Sequence, residues 1–320
     1  MKPRSLAVCL GVMGVLAGGA AAAPLADRVP AGAIAYAGWA GRSLPFDGSV
    51  LGQMLNDPLT ERLAGAAREM VSRHLHTAQG RELLTRCWSL ATIAWQCPVA
   101  GALLDVVPAE GKPQPAGVVL LDLGARREAF DERLRAVVQA LDKSVTLGET
   151  VIGNVTCKTV RGRGSPEIAY GYLGERFFVA SGPDVARQVI ETTPDKSLQA
   201  SEKFKSAYAA VAGPHEQLAV YLDVASLLGR LRAAEPPPKP GEVAVASKVD
   251  RAAGALGLTR ATTVAASSGV VEHGMYTRLR IASPGPHRGL LLAAGGAPLL
   301  ESDLAHVPAD AVFVAAANLS

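Results

Sequence analysis

The chain has 320 residues, 49% of them hydrophobic and 19% charged, with 32 Lys and Arg against 29 Asp and Glu. That apolar content excludes a disordered chain, and a formal charge of +3 with both signs spread evenly excludes the basic stripe of a nucleic-acid binder. Aromatics at 5% beside 33 Gly and 21 Pro describe a core of Ala, Val and Leu punctuated by turns, closer to a sheet-rich mixed fold than to a helix bundle.

Lys2 and Arg4, an apolar run over 6–16 and the small-residue stretch 17–22 follow the order of a secretory signal peptide covering residues 1–22. Ala20-x-Ala22 places cleavage before Ala23, because cutting one residue later would set Pro24 beside the scissile bond. Losing Lys2 and Arg4 takes the 32 basic residues to 30 against 29 acidic ones, a nearly neutral mature chain. The alternative is an uncleaved anchor, since residues 5–23 are almost all small or apolar and a span needs about 20; a membrane is a partner only in that case. Cys9 lies too early in the apolar run for lipidation, and the later run 281–300 is broken by Pro284, Pro286, His287, Arg288 and Pro298. Export to the periplasm or the medium leaves Cys87, Cys97 and Cys157, an odd number, for which buried free thiols are a commoner state than a Cys87–Cys97 bridge.

The mature chain opens on residues 25–28, the turn 29–32 and a strand over 33–39. Asn56-Asp57-Pro58 caps an amphipathic helix over 58–76, with Leu59, Leu63, Met70 and Val71 recurring at helical spacing. A second helix carries Leu83, Leu84, Cys87, Trp88 and Ala91 on one face. A buried strand over 99–107, a hairpin-like loop over 108–115 and a strand over 117–123 lead to a helix over 126–142. Short β-rich runs at 155–160, 167–173 and 176–180 are separated by Gly162-Arg163-Gly164 and Gly174-Glu175, turn chemistry that suits antiparallel hairpins. Pro183 starts a helix with Val185, Val189 and Ile190 inward, and a helix over 202–211, a strand over 217–222 and a helix over 224–234 follow. Residues 235–241, with four prolines, form a surface loop or short linker, after which strands are drawn at 254–258, 261–268 and 275–281. Strand and helix do not alternate throughout, so the fold class is α+β, a mainly antiparallel sheet with packed amphipathic helices. Residues 29–37 and 307–315 match in five of nine places at a separation of 278 residues, too long for a solenoid repeat. The domain therefore runs over 23–295, and 296–320 either closes its sheet or begins a second, truncated repeat; an abrupt end in a strand favours the latter.

The chain has no G-x-S-x-G elbow, S-x-x-K, phosphate-binding loop, H-E-x-x-H or dinucleotide fingerprint, so no cofactor is expected. His74 and His76 stand two apart on a helix and point in different directions, and the cysteines lack C-x-x-C spacing, so no metal is expected. Ser268, Glu272 and His273, beside Ser267, form the one place where hydroxyl, acid and imidazole lie close in sequence; the same residues also suit a polar hairpin end, because a triad is assembled by geometry. His287-Arg288 between Pro286 and Gly289 suits an exposed loop, and Asn154-Val155-Thr156 matches a glycosylation sequon.

Residues 25–31 running into Ala33-Ile34-Ala35-Tyr36-Ala37-Gly38-Trp39, the segment 278–290 ending in Pro284-Gly285-Pro286-His287-Arg288-Gly289-Leu290, and Val307-Pro308-Ala309 carry a resemblance over most of 25–317. The chain resembles a family of large exported bacterial proteins known only as a domain of unknown function. That resemblance implies an extracytoplasmic location, a mixed architecture and longer members, and brings no catalytic residues. The expected function is a non-enzymatic binding or envelope-associated module with an envelope protein or small ligand as partner. The rival is an extracytoplasmic hydrolase with a dispersed active site.

Overall fold

A computed structural model describes residues 23–109, 112–141, 145–162, 165–235, 247–272 and 274–285. Ten strands, β1 (Ala35–Ala40), β2 (Pro98–Ala109), β3 (Lys112–Asp122), β4 (Val145–Ile152), β5 (Val155–Gly162), β6 (Ile168–Leu173), β7 (Arg176–Ala180), β8 (Glu216–Asp223), β9 (Thr263–Val271) and β10 (Gly274–Ala282), form one sheet ordered β10-β9-β8-β1-β2-β3-β7-β6-β5-β4. Every pairing is antiparallel, which is the expected α+β class. The helices among the described residues are α1 (Leu44–Gly48), α2 (Val50–Asn56), α3 (Pro58–Arg73), α4 (Ala78–Ala94), α5 (Arg127–Gln139), α6 (Pro183–Ile190), α7 (Glu202–Ala209), α8 (Val224–Ala233) and α9 (Lys248–Leu256).

Leu120-Leu121 and Phe177-Phe178 show how the sheet is covered. Successive strand residues point to opposite faces, and all four of these side chains are buried, so helices must lie on both sides. Leu120 and Phe178 meet Val185 and Val189 of α6, Phe204 and Tyr208 of α7, and Val29 of the N-terminal segment. Leu121 and Phe177 meet Leu83, Leu90 and Ile93 of α4 with Phe130 and Val137 of α5. Further along, Val224, Leu228 and Ala253 of α8 and α9 pack with Leu222 and Val264, while Trp39 and Val270 hold Phe46 of α1.

The strand order is palindromic about the β1·β8 pair. On one side β1 leads through helices into the β2–β3 hairpin; on the other, β8 leads through α8 and α9 into the β9–β10 hairpin. Tyr36 and Tyr221 are direct partners across the centre and both are 2% exposed. The repeat in this chain is thus a strand, helices and hairpin unit used twice within one sheet. The second half of the echo noticed in the sequence, 307–315, lies outside the described residues, as do 1–22, 236–241 and 296–320.

Several expectations are corrected. The strand drawn at 254–258 is the end of α9, capped by Ser247 at its start and by Gly257 at φ 77° at its close, followed by a 3-10 turn. The loop drawn at 108–115 is mostly ladder: Pro108 faces Pro113 and Val106 faces Pro115. That part of β3 has only β2 beside it, because β7 pairs from Val118 onward, so proline's missing N–H breaks no bond on the open flank. On α4 the buried residues are Gly80, Leu83, Leu90, Ile93 and Ala94; of the expected face Leu83 is buried and Cys87 packs half-buried on the core, while Leu84, Trp88 and Ala91 are half-buried. The helix drawn to residue 142 ends at Gln139, and β4, α1, α2 and α9 stand where the sequence reading placed none of these elements.

Candidate functional site

Two tight hairpins end side by side on the α6 face of the sheet. Gly153-Asn154 joins β4 to β5 and Gly174-Glu175 joins β6 to β7, with Gly153 at φ 61° and Gly174 at φ 63°, conformations open to glycine without strain. Between these turns, the sheet and the C-terminal end of α6 lies an open cleft of ≈ 400 Å³. Leu120, Val155, Leu173, Val189 and Ile190 make its apolar wall, and Asn154, Thr192, Arg28 and Arg176 bring polar groups to it.

The two arginines are placed by different means. Arg176 sits directly across from Asp122 in the β3·β7 ladder, and its Nε donates to Asp122 Oδ2 at 3.2 Å. Arg28 lies on the segment before β1, which is stitched down by Leu198 N–H to Val29 C=O at 2.7 Å and Gln199 N–H to Ala26 C=O at 3.1 Å. Its Nε is buried and 3.1 Å from Asp27 Oδ2, but angled so that no hydrogen bond forms. The side chains remain 34% and 33% exposed for Arg28 and Arg176, and neither makes a further hydrogen bond among the described residues. Arg28 and Arg176 are among the residues that line the cleft, and Asp27 and Asp122 are not. Each of the two arginines at this concave, mixed polar and apolar space is thus beside a carboxylate that already offsets its charge.

A smaller cleft of ≈ 170 Å³ opens on the opposite face between α5 and β5–β6, lined by Tyr170, Tyr172, Leu134 and Val138 with Asp131, Arg135 and Lys158. Its charged groups are largely spoken for. Tyr172 donates to Asp131 at 2.9 Å and Arg135 pairs with Asp131 at 3.5 Å. Burial first, then the Asp131 bond, push the Tyr172 phenol well above its ordinary range, so it stays a neutral donor.

The residues singled out in the sequence are not gathered into a catalytic arrangement among the described residues. Ser268 donates to the Tyr276 carbonyl at 2.9 Å and accepts from Thr277 at 3.3 Å, a cross-strand role in the β9–β10 hairpin. Ser267 points to the other face and donates to Val211 C=O at 2.5 Å. Glu272 is exposed at φ 52° in the hairpin turn, and His273 lies outside the described residues. His74 and His76 are exposed, and His287, Arg288 and His306 lie outside the described residues. Cys97 and Cys157 are buried free thiols, and burial raises both pKa values. Cys87 is half-buried on α4. Among the described residues no group of three or more His, Cys, Asp and Glu is placed to hold a metal ion, and no helix is long and apolar enough to cross a membrane.

Arg28 and Arg176 escaped the sequence reading. They stand 148 positions apart, in a loop and at the start of a strand, and only the fold makes them neighbours on one cleft. The Gly174-Glu175 turn was the one legible signal, since it places Arg176 at the mouth of a hairpin. Comparison with protein families, curated proteins and solved structures gives no match.

Proposed function

We propose that this chain is a non-enzymatic binding module of the bacterial envelope, exported by its N-terminal segment, that holds a small ligand in the cleft between α6 and the β4–β5 and β6–β7 turns. The observation that carries this reading is a concave space of ≈ 400 Å³ whose lining mixes apolar residues with Asn154, Thr192, Arg28 and Arg176. Its size falls in the range of small-molecule sites, roughly 300–1,000 Å³, with a few polar groups to orient what is bound. Export and the family resemblance supply the location. No reaction is assigned, because the cleft brings together neither a nucleophile with a base nor paired carboxylates.

The test is native mass spectrometry of the protein isolated gently from its own host, beside the variant Asn154→Trp. Asn154 is exposed on the β4–β5 turn, so an indole there fills the cleft mouth without disturbing the core. A small-molecule adduct on the wild type that disappears from the variant supports the reading. An adduct-free wild type that also gives no cleft chemical-shift change with any small-molecule probe ends it.

A further inference from the structure

Away from the cleft, we propose that α3 is a self-association surface, along which two copies of this chain pair antiparallel through Leu59, Leu63, Ala66 and Met70. The helix stands with its apolar side away from the protein. Its half-buried residues are Thr60, Ala64 and Ser72, whereas Leu59, Leu63 and Met70 are 61%, 61% and 60% exposed. At about 100° per residue the first set centres on the side of the helix opposite the second. Exposed apolar surface also concentrates here: among the described residues, eight of the seventeen exposed large hydrophobic side chains fall within 44–71. The Asp57 cap and the Glu69–Arg73 pair at 2.7 Å hold the helix locally. Helices in proteins draw most of their stability from burying an amphipathic face, and a partner on this face supplies that burial.

Charge and spacing name the partner as a second copy. The four stripe residues recur at intervals of four, three and four, the seam of a two-helix pair. Arg62 and Glu69 flank that seam on one edge, two turns apart. An antiparallel copy that matches Leu59 with Met70 and Leu63 with Ala66 brings Arg62 of each chain to Glu69 of the other, one contact made twice by the two-fold axis. Glu69 accepts from Arg73 through Oε1, which leaves its second oxygen for the other copy. A parallel copy sets Arg62 against Ala67 and forgoes the pair. The match of large Leu63 with small Ala66 lets the two helices approach closely at the centre. A lipid surface is the poorer fit, because Glu61 and Glu69 nearly balance Arg62, Arg68 and Arg73 and leave little attraction for an anionic bilayer. Four residues a side fall short of the roughly 1,200 Å² of a standard interface, so the dimer is weak, with a Kd in the micromolar range.

The experiment is sedimentation velocity on the intact mature chain over a concentration series that passes through the micromolar range. A reversible monomer–dimer equilibrium is expected, and Leu63→Lys is expected to abolish it while melting with the wild type at dilution, since the side chain is exposed. Arg62→Glu and Glu69→Arg are each expected to weaken the dimer about tenfold, because two exposed pairs turn from attractive to repulsive. Mixing these two variants restores both pairs, so the mixture is expected to form a heterodimer as tight as the wild-type dimer. A chain that stays monomeric throughout the series overturns the proposal, as does a dimer that Leu63→Lys leaves intact. A dimer that Leu63→Lys abolishes but that the mixture fails to restore overturns the antiparallel pairing. Flotation of a monomeric wild type with phosphatidylglycerol vesicles, lost in Leu63→Lys, overturns it in favour of a lipid surface.

Discussion

Phe130 is 1% exposed, and its ring centre lies 4.9 Å from that of Phe177, which is itself 2% exposed. Truncating such a ring removes buried area and leaves a hole that the sheet cannot close, so Phe130→Ala is expected to cost about 3–5 kcal/mol in urea unfolding. Asp223 carries a pH dependence. Burial alone pushes its carboxyl up, but Lys203 Nζ at 2.5 Å and the Ser226 N–H and hydroxyl more than offset this and hold it below the ordinary carboxylate range. A lowered folded pKa stabilises the protein above the unfolded value of about 3.9 and loses that contribution as pH falls through the folded pKa. Asp223→Asn keeps the cap on α8 but not the charge, so the stability gap between wild type and variant is expected to be full at pH 6 and to close on acidification below about pH 4; thermal melts across that range measure it. The buried thiols of Cys97 and Cys157 are expected to resist iodoacetamide at neutral pH until the protein is unfolded, since burial suppresses the reactive thiolate.

Neighbouring helices separate propensity from burial. α3 has the caps and spacing of an amphipathic helix, with Asp57 accepting from Leu59 N–H at 2.7 Å and Pro58 at its first position, yet none of its residues is buried. Leu63 is 61% exposed, whereas Leu90 on α4 is 6% exposed. Leu63→Ala is therefore expected to stay within about 0.5 kcal/mol and Leu90→Ala to cost about 2–5 kcal/mol, read from paired denaturant curves. The sequence carried the periodicity of both helices and could not say which face would find a partner. Strands buried on alternating sides, such as β1 and β7, were legible because turns bracket them. The edge strand β4 was not, since its exposed Leu147 and Val151 leave no buried alternation to detect. The region 254–258 misled for the opposite reason: Gly and Leu there look like a strand end, and only the Ser247 cap, nine residues before the helix closes, shows the helix. Ser268 and Glu272 sit close in sequence but on opposite sides of a hairpin's business: Ser268 bonds across the ladder and Glu272 turns the chain.

At the scale of the molecule, the sheet is two strand, helices and hairpin units joined at β1·β8, with the longer unit extended by β4–β7 beyond β3. The cleft lies between that extension, β3, the end of α6 and the segment before β1, and none of its lining residues belongs to β8–β10. The proposed cleft and the β8–β10 unit share no lining residue, so a change on β10 such as Leu279→Lys, at a side chain 64% exposed, is expected to leave any cleft adduct seen by native mass spectrometry unchanged.

The central strand also shapes how the chain is made. β1 pairs with β2 on one side and with β8 on the other, so one of its edges stays open until residue 216 has been synthesised. The finished sheet ends in strands that carry charge, Arg278 and Arg280 on β10 and Glu149 on β4, which discourage stray pairing. β1 reads Ala-Tyr-Ala-Gly-Trp-Ala and carries none. A nascent chain that stalls after Ala212 presents this unguarded ribbon to its neighbours, and such a product, residues 23–212, is expected to aggregate in light scattering while the full chain does not.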